Sequence, residues 1–148
     1  MPFPILANIR KLKISDFEDV RQSLLGRVFH VTRHSYLASI AAHGALVPNT
    51  TGVKSPLGDN ANGYFRLKGC VSFFDYRRHE SNEWKQFYQN CIPTRAMSHD
   101  DPAIVMFLSQ EHYAKLIPWK QWKIDGLLEQ RVVPHVEVGL EGEVGLHI

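Results

Sequence analysis

The segment Val28-Phe29-His30-Val31-Thr32 sets an imidazole and a hydroxyl two residues apart in an otherwise apolar run. Read as a strand, it sends Phe29 and Val31 to one face and His30 and Thr32 to the other. Two hydrogen-bonding side chains on a rigid element are a sound base for a small-molecule site. The imidazole can donate to a ribose hydroxyl or to an amide carbonyl. Late in the chain, Glu137 lies between Val136 and Val138. A carboxylate in that setting costs desolvation energy unless it faces a polar cleft. Glu129, just before Gln130-Arg131-Val132, is a rival acid in a similar position. Tyr64 and Tyr76 have polar neighbours and could stack on a flat ring such as nicotinamide or a base.

Other chemistries fit less well. His30, His34 and His43 suggest a metal, but His34 begins a helix while His30 sits on a strand, so no single helix face aligns them. No metal is expected. Cys70 and Cys91 have neither a metal-like spacing nor an activating context, and read as packing thiols. The chain carries no Gly-x-Ser-x-Gly elbow, no Gly-x-x-x-x-Gly-Lys and no Gly-x-Gly-x-x-Gly. Hydrolase, P-loop and Rossmann readings are therefore poor.

Several elements must position these residues. Ser15-Asp16-Phe17-Glu18 is a capping box, followed by Phe17, Val20 and Leu24 at helical spacing and by Gly26 as a stop. After the His30 strand, Leu37, Ile40 and Ala41 form the buried stripe of a second helix, and Gly44 supplies its left-handed end. Residues from about Pro48 to Gly63 are turn-rich, long enough for a binding loop or a plain surface loop. Cys70 to Phe74 reads as a strand, and Trp84, Phe87, Tyr88 and Cys91 recur at helical spacing. Ile104 to Leu108 is a continuous apolar run, the pattern of a strand buried on both faces. Ser109 then opens a helix through Tyr113, Leu116 and Ile117 that Pro118 stops. Arg131 to Val138 and Val144 to Ile148 read as two further strands. The mixture predicts a single α+β domain spanning residues 1–148.

The 148 residues are enough for a real core, and 44% hydrophobic with 22% charged content is ordinary for a globular protein. No apolar run approaches the roughly 20 residues that span a bilayer, so no membrane partner is expected. The N-terminus lacks the basic-then-apolar order of a secretory signal, and two unpaired cysteines suit the cytoplasm. The net charge of +2 permits a nucleic-acid or nucleotide partner without demanding one.

Phe29-His30-Val31-Thr32, a helix with Leu37-Ala38-Ser39-Ile40, then Gly44 and Leu46-Val47-Pro48, resembles the opening of ADP-ribosyltransferase-fold proteins. The likeness is to the histidine-bearing branch, and its nearest pattern is that of the bacterial toxins that ADP-ribosylate DNA. Val71-Ser72-Phe73 matches the family's second strand, and Glu137 in Val136-Glu137-Val138-Gly139-Leu140 matches its strand glutamate. Ser72 stands where the polymerases of that branch carry a tyrosine, so Tyr64 or Tyr76 would have to supply ring stacking.

The resemblance implies a split mixed sheet flanked by helices, and an NAD-dependent ADP-ribosyltransferase acting through an oxocarbenium-like state. Glu137 would stabilise the positive charge on the ribose and accept a proton from the incoming nucleophile. His30 and Thr32 would hold the adenosine-ribose and pyrophosphate side of NAD, Ser72 would line the same site, and Arg77 or Arg78 would contact a phosphate. NAD is then a substrate, the second partner is a macromolecular acceptor with DNA and RNA among the candidates, and the 48–63 segment would cover the dinucleotide. Two rivals stand beside this reading. One is a non-catalytic nucleotide or nucleic-acid binding module on the same fold. The other is a metal-assisted, nuclease-like toxin using His30, His34 and His43.

Overall fold

The structure, a computed structural model, describes residues 17–49, 62–92 and 100–145. Helix α1 spans Phe17–Leu24, with Val20 and Leu24 buried, and strand β1 spans Val28–Arg33. Helix α2 runs Leu37–His43 and ends where Gly44 turns left-handed at φ 81°, a conformation glycine takes without a Cβ penalty. Strand β2 is Ala45–Leu46, helix α3 is Tyr64–Leu67, and strand β3 is Cys70–Asp75. Helix α4, Asn82–Phe87, is capped by the Ser81 hydroxyl, which accepts from the Trp84 N–H at 3.2 Å. Strand β4 is Ala103–Phe107, helix α5 is Gln121–Ile124, and strands β5 and β6 are Glu137–Glu141 and Val144–Gly145.

The main sheet has the order β4-β1-β3-β5, and β2 and β6 form a small second sheet. Every strand pair is antiparallel; a parallel contact occurs at the isolated bridge between Gly63 and Arg131. With helices on both sides, this is a single α+β domain. One face packs Phe29, Val31 and Phe74 with Val20 and Leu24 of α1 and with Trp84 and Tyr88 at α4. The other packs Val28, Val71, Phe73, Val138 and Leu140 with Leu46, Val144 and the half-buried Ile40 of α2. A third cluster, Tyr64, Phe65 and Cys70, sits beneath α3 against Ile117, Trp122 and Leu127. No described helix is long and apolar enough to cross a membrane.

Four sequence expectations change here. The run Ile104–Leu108 is not a central strand: β4 lies at the sheet edge, half-covered on both faces, and Phe107 is 40% exposed beneath the Arg27 guanidinium. The segment after Ser109 forms only a 3-10 helix over Gln110–Lys115, and Ile117 leaves it to bridge Gly139 across the outer edge of β5. The strand predicted over Arg131 to Val138 starts only at Glu137, because residues 133–136 close into a tight turn. Helices α3 and α5 were not foreseen, being a single turn each. Ser15 and Asp16 of the capping box, most of the 48–63 segment and the end of the Val144–Ile148 strand lie outside the described residues.

Candidate active site

Strand β1 pairs with β4 over five residue pairs, and β3 pairs with β5 over five. Between these halves, β1 and β3 share only Val28↔Asp75 and Phe29↔Phe74. In that register the next rung would join Val31 to Ser72. It is not formed, and the sheet opens from there toward the end of β1. In the pairing with β5, Asp75 N–H donates to Val136 C=O, which makes Ser72 and Gly139 a non-hydrogen-bonded pair. The Ser72 main-chain groups therefore point away from β5, into the opening. The Val31 peptide groups face the same opening from β1 by the same alternation.

His30 occupies the Ser72 carbonyl that β1 leaves unpaired. Its Nδ1 lies 2.8 Å from Ser72 O, and since a carbonyl can only accept, Nδ1 carries the proton and Nε2 remains an acceptor. The ring also meets Phe73 edge-on at 5.8 Å. Burial pushes the imidazole pKa below its ordinary value, with the Ser72 contact pulling weakly the other way. At neutral pH the ring is uncharged.

Glu137 opens β5 directly after the 133–136 turn and lies opposite Phe74. Its carboxylate accepts from the Ser72 hydroxyl and from the Val133 N–H, while its own N–H donates to Val133 C=O at 3.0 Å. The bare Cα of Gly139, opposite Ser72, is covered by the Phe65 ring. Burial raises the Glu137 carboxyl to about 7, and the two donors only partly oppose this. A carboxyl group half-ionised near neutrality can take up a proton and give it back.

Ser72 is thus the point where His30 and Glu137 meet. They reach it from different faces: His30 shares the Val28 and Phe73 face, and Glu137 shares the Phe29 and Phe74 face. Ser72 itself links them, its carbonyl to His30 and its hydroxyl to Glu137. Thr32 follows His30 on its face and is buried, at 7% exposure.

The tyrosine expectations are not met. Tyr64 is buried and its hydroxyl donates to Asp125 at 2.5 Å. Tyr76 is fully buried, edge-on to Phe29 and Trp84 at 4.8 Å each. Both rings are core, so neither offers a free face for stacking. Arg77 is committed elsewhere: Nε and Nη2 hold Asp75 at 2.9 and 2.8 Å, and the guanidinium lies over the Tyr113 ring at 4.9 Å. That bidentate pair competes with a phosphate contact. Glu129 is exposed, and its carbonyl accepts from Asn62 at 2.7 Å. The three histidines do not assemble, since His43 pairs with Glu143 at 3.0 Å. Among the described residues no group of three or more His, Cys, Asp or Glu could hold a metal ion.

Two features escaped the sequence reading. The Val31 peptide groups carry no sequence signal, because every residue has them. His135, with φ 63°, turns the chain where the sequence pattern predicts a strand; the Pro134 before it is the available turn signal. Comparison with protein-family models, curated proteins and solved structures finds no match for this chain.

Proposed function

We propose that the chain is an ADP-ribosyltransferase that breaks the nicotinamide–ribose bond of NAD and passes ADP-ribose to a macromolecular acceptor, with DNA and RNA the first classes to test. The observation that carries this reading is the opening in the sheet at Ser72, flanked by a neutral imidazole on one side and an ionisable, half-buried carboxyl on the other. The Val31 peptide groups offer a donor and an acceptor on one residue, the complement of a carboxamide. Ionised Glu137 would face the ribose as positive charge grows there, where a partly dehydrated carboxylate acts strongly. The C–N electron pair leaves with neutral nicotinamide. The new bond forms from the acceptor's oxygen or nitrogen, whose proton passes to Glu137.

Nicotinamide release tests the reading, measured with purified protein, NAD and DNA, RNA or protein acceptors. Wild type should turn over and Glu137→Gln should not. Absence of both saturable NAD binding and turnover with every acceptor class would overturn it. A second reading, a nucleotide-binding module without chemistry, is favoured by the burial of Tyr64 and Tyr76, which removes the stacking ring. It expects NAD or nucleic-acid binding that survives Glu137→Gln, with no nicotinamide release from either form.

A further inference from the structure

The turn that delivers Glu137 to β5 is held by a side chain outside the site described above. His135 is the one non-glycine residue with positive φ among the described residues, at 63°. Glycine is the default there, although histidine tolerates the left-handed region better than most residues. The reason for a side chain lies in its contacts. The His135 ring stacks on Phe87 with centroids 5.4 Å apart and planes 23° apart, and it meets Trp119 at 4.5 Å. Phe87 ends α4, and Trp119 lies in the turn before α5. The imidazole therefore ties two separate elements to this turn.

Within the turn the main chain closes on itself. The N–H groups of Val136 and Glu137 both donate to Val133 C=O, at 3.3 and 3.0 Å, and the Val133 N–H returns a bond to the Glu137 carboxylate. Val136 is buried in the core, at 1% exposure. The chain is thus pinned on both sides of the left-handed residue, and Glu137 has little freedom to point elsewhere.

We propose that His135 is a positioning residue: its ring, clamped between Phe87 and Trp119, fixes the turn that aims the Glu137 carboxylate at Ser72. It touches no reacting atom. The inference rests on Glu137 as the working carboxylate of the proposed function, but its test needs no turnover.

The readout is the titration of the Glu137 carboxyl carbon by NMR, its resonance assigned by its loss in Glu137→Gln. Wild type should titrate at about 7. His135→Gly keeps the left-handed backbone and removes the ring. Its midpoint should fall by about one pH unit or more as the freed carboxylate gains water, with the amide spectrum still that of a folded protein. His135→Phe restores a clamped ring without the nitrogens and should stay within roughly 0.3 units of wild type. Trp119→Leu opens the clamp from the other side and should move the midpoint the same way.

A folded His135→Gly protein with an unmoved midpoint overturns the proposal. So does a His135→Phe protein that shifts as far as the glycine variant. If His135→Gly does not fold, Trp119→Leu decides, and an unmoved midpoint there overturns it equally. Wild-type protein without NAD turnover defeats the functional reading alone and leaves these shifts standing.

Discussion

Asp125 and Glu137 each accept a hydroxyl hydrogen bond, from Tyr64 and from Ser72, yet their proton affinities move in opposite directions. Asp125 lies near the surface, where Tyr64 OH, Gln121 Nε2 and Lys68 Nζ approach it at 2.5, 2.9 and 3.4 Å. These donors, led by Tyr64, hold its carboxyl below the usual range. Glu137 has one hydroxyl and one main-chain N–H, and none of the ion pairs among the described residues includes it. There burial wins. The first carboxylate braces α3 against α5 and keeps its charge through neutrality. The second changes charge near neutrality, as a proton acceptor must. A hydroxyl partner alone therefore says little about a carboxylate's role; the balance between donors and burial separates a brace from a candidate for chemistry.

The largest expected effect is on turnover. Glu137→Gln should cut nicotinamide release by about a hundredfold or more, while Asp125→Asn should leave it near the wild-type rate. Equal losses in the two variants would erase the contrast. Stability against pH comes next. Glu137 binds its proton more tightly folded than unfolded, so the stabilisation it contributes is complete below its ordinary value of 4.5 and is lost as pH rises through about 7. The full swing is about 3 kcal/mol. Urea unfolding should show wild type losing stability between these limits, and Glu137→Gln should flatten that slope and be the more stable protein at alkaline pH. A wild-type profile as flat as the variant's would contradict the assignment.

Smaller effects sharpen the same comparison. A Cβ on Gly139 would fall 2.2 Å from Cδ1 of the buried Phe65 ring. Gly139→Ala should therefore destabilise by about 1–3 kcal/mol in urea unfolding. Tyr64→Phe removes a donor from Asp125 and should cost about 1 kcal/mol, with the Glu137 titration unmoved; a moved midpoint would mean the two regions are coupled. Ser72→Ala removes a donor that lowers the Glu137 carboxyl, so its midpoint should rise. The rising limb of nicotinamide release should follow it to higher pH.

Local elements were readable where the pattern and the burial agree. The stripe Leu37, Ile40 and Ala41 with Gly44 marked α2 and its end, and Cys70 to Phe74 marked β3 within a residue. Reading failed where an apolar pattern had another cause. Ile104 to Leu108 looked central but packs at an edge, half-covered on both faces. Val133 to Val136 looked extended, but His135 turns the chain left-handed there. Tyr64 and Tyr76 have polar neighbours in sequence that suit a stacking ring, yet the neighbours in space are Asp125, Phe29 and Trp84. His30 and Glu137 were identifiable as unusual polar residues in apolar strands, because that mismatch is local.

The residue order by itself determined which side chains alternate on β1, and hence that His30 and Thr32 would share one face of a rigid strand. Only the tertiary structure decided that His30 and Glu137 both end at Ser72, on different faces of a sheet that opens between β1 and β3. Strand alternation is a property of the local backbone, whereas register and the loss of a rung depend on partners about 45 to 71 residues away in the chain. The same holds for proton affinity: a carboxyl group's type is written in the sequence, but its dehydration is set by what the folded chain packs around it.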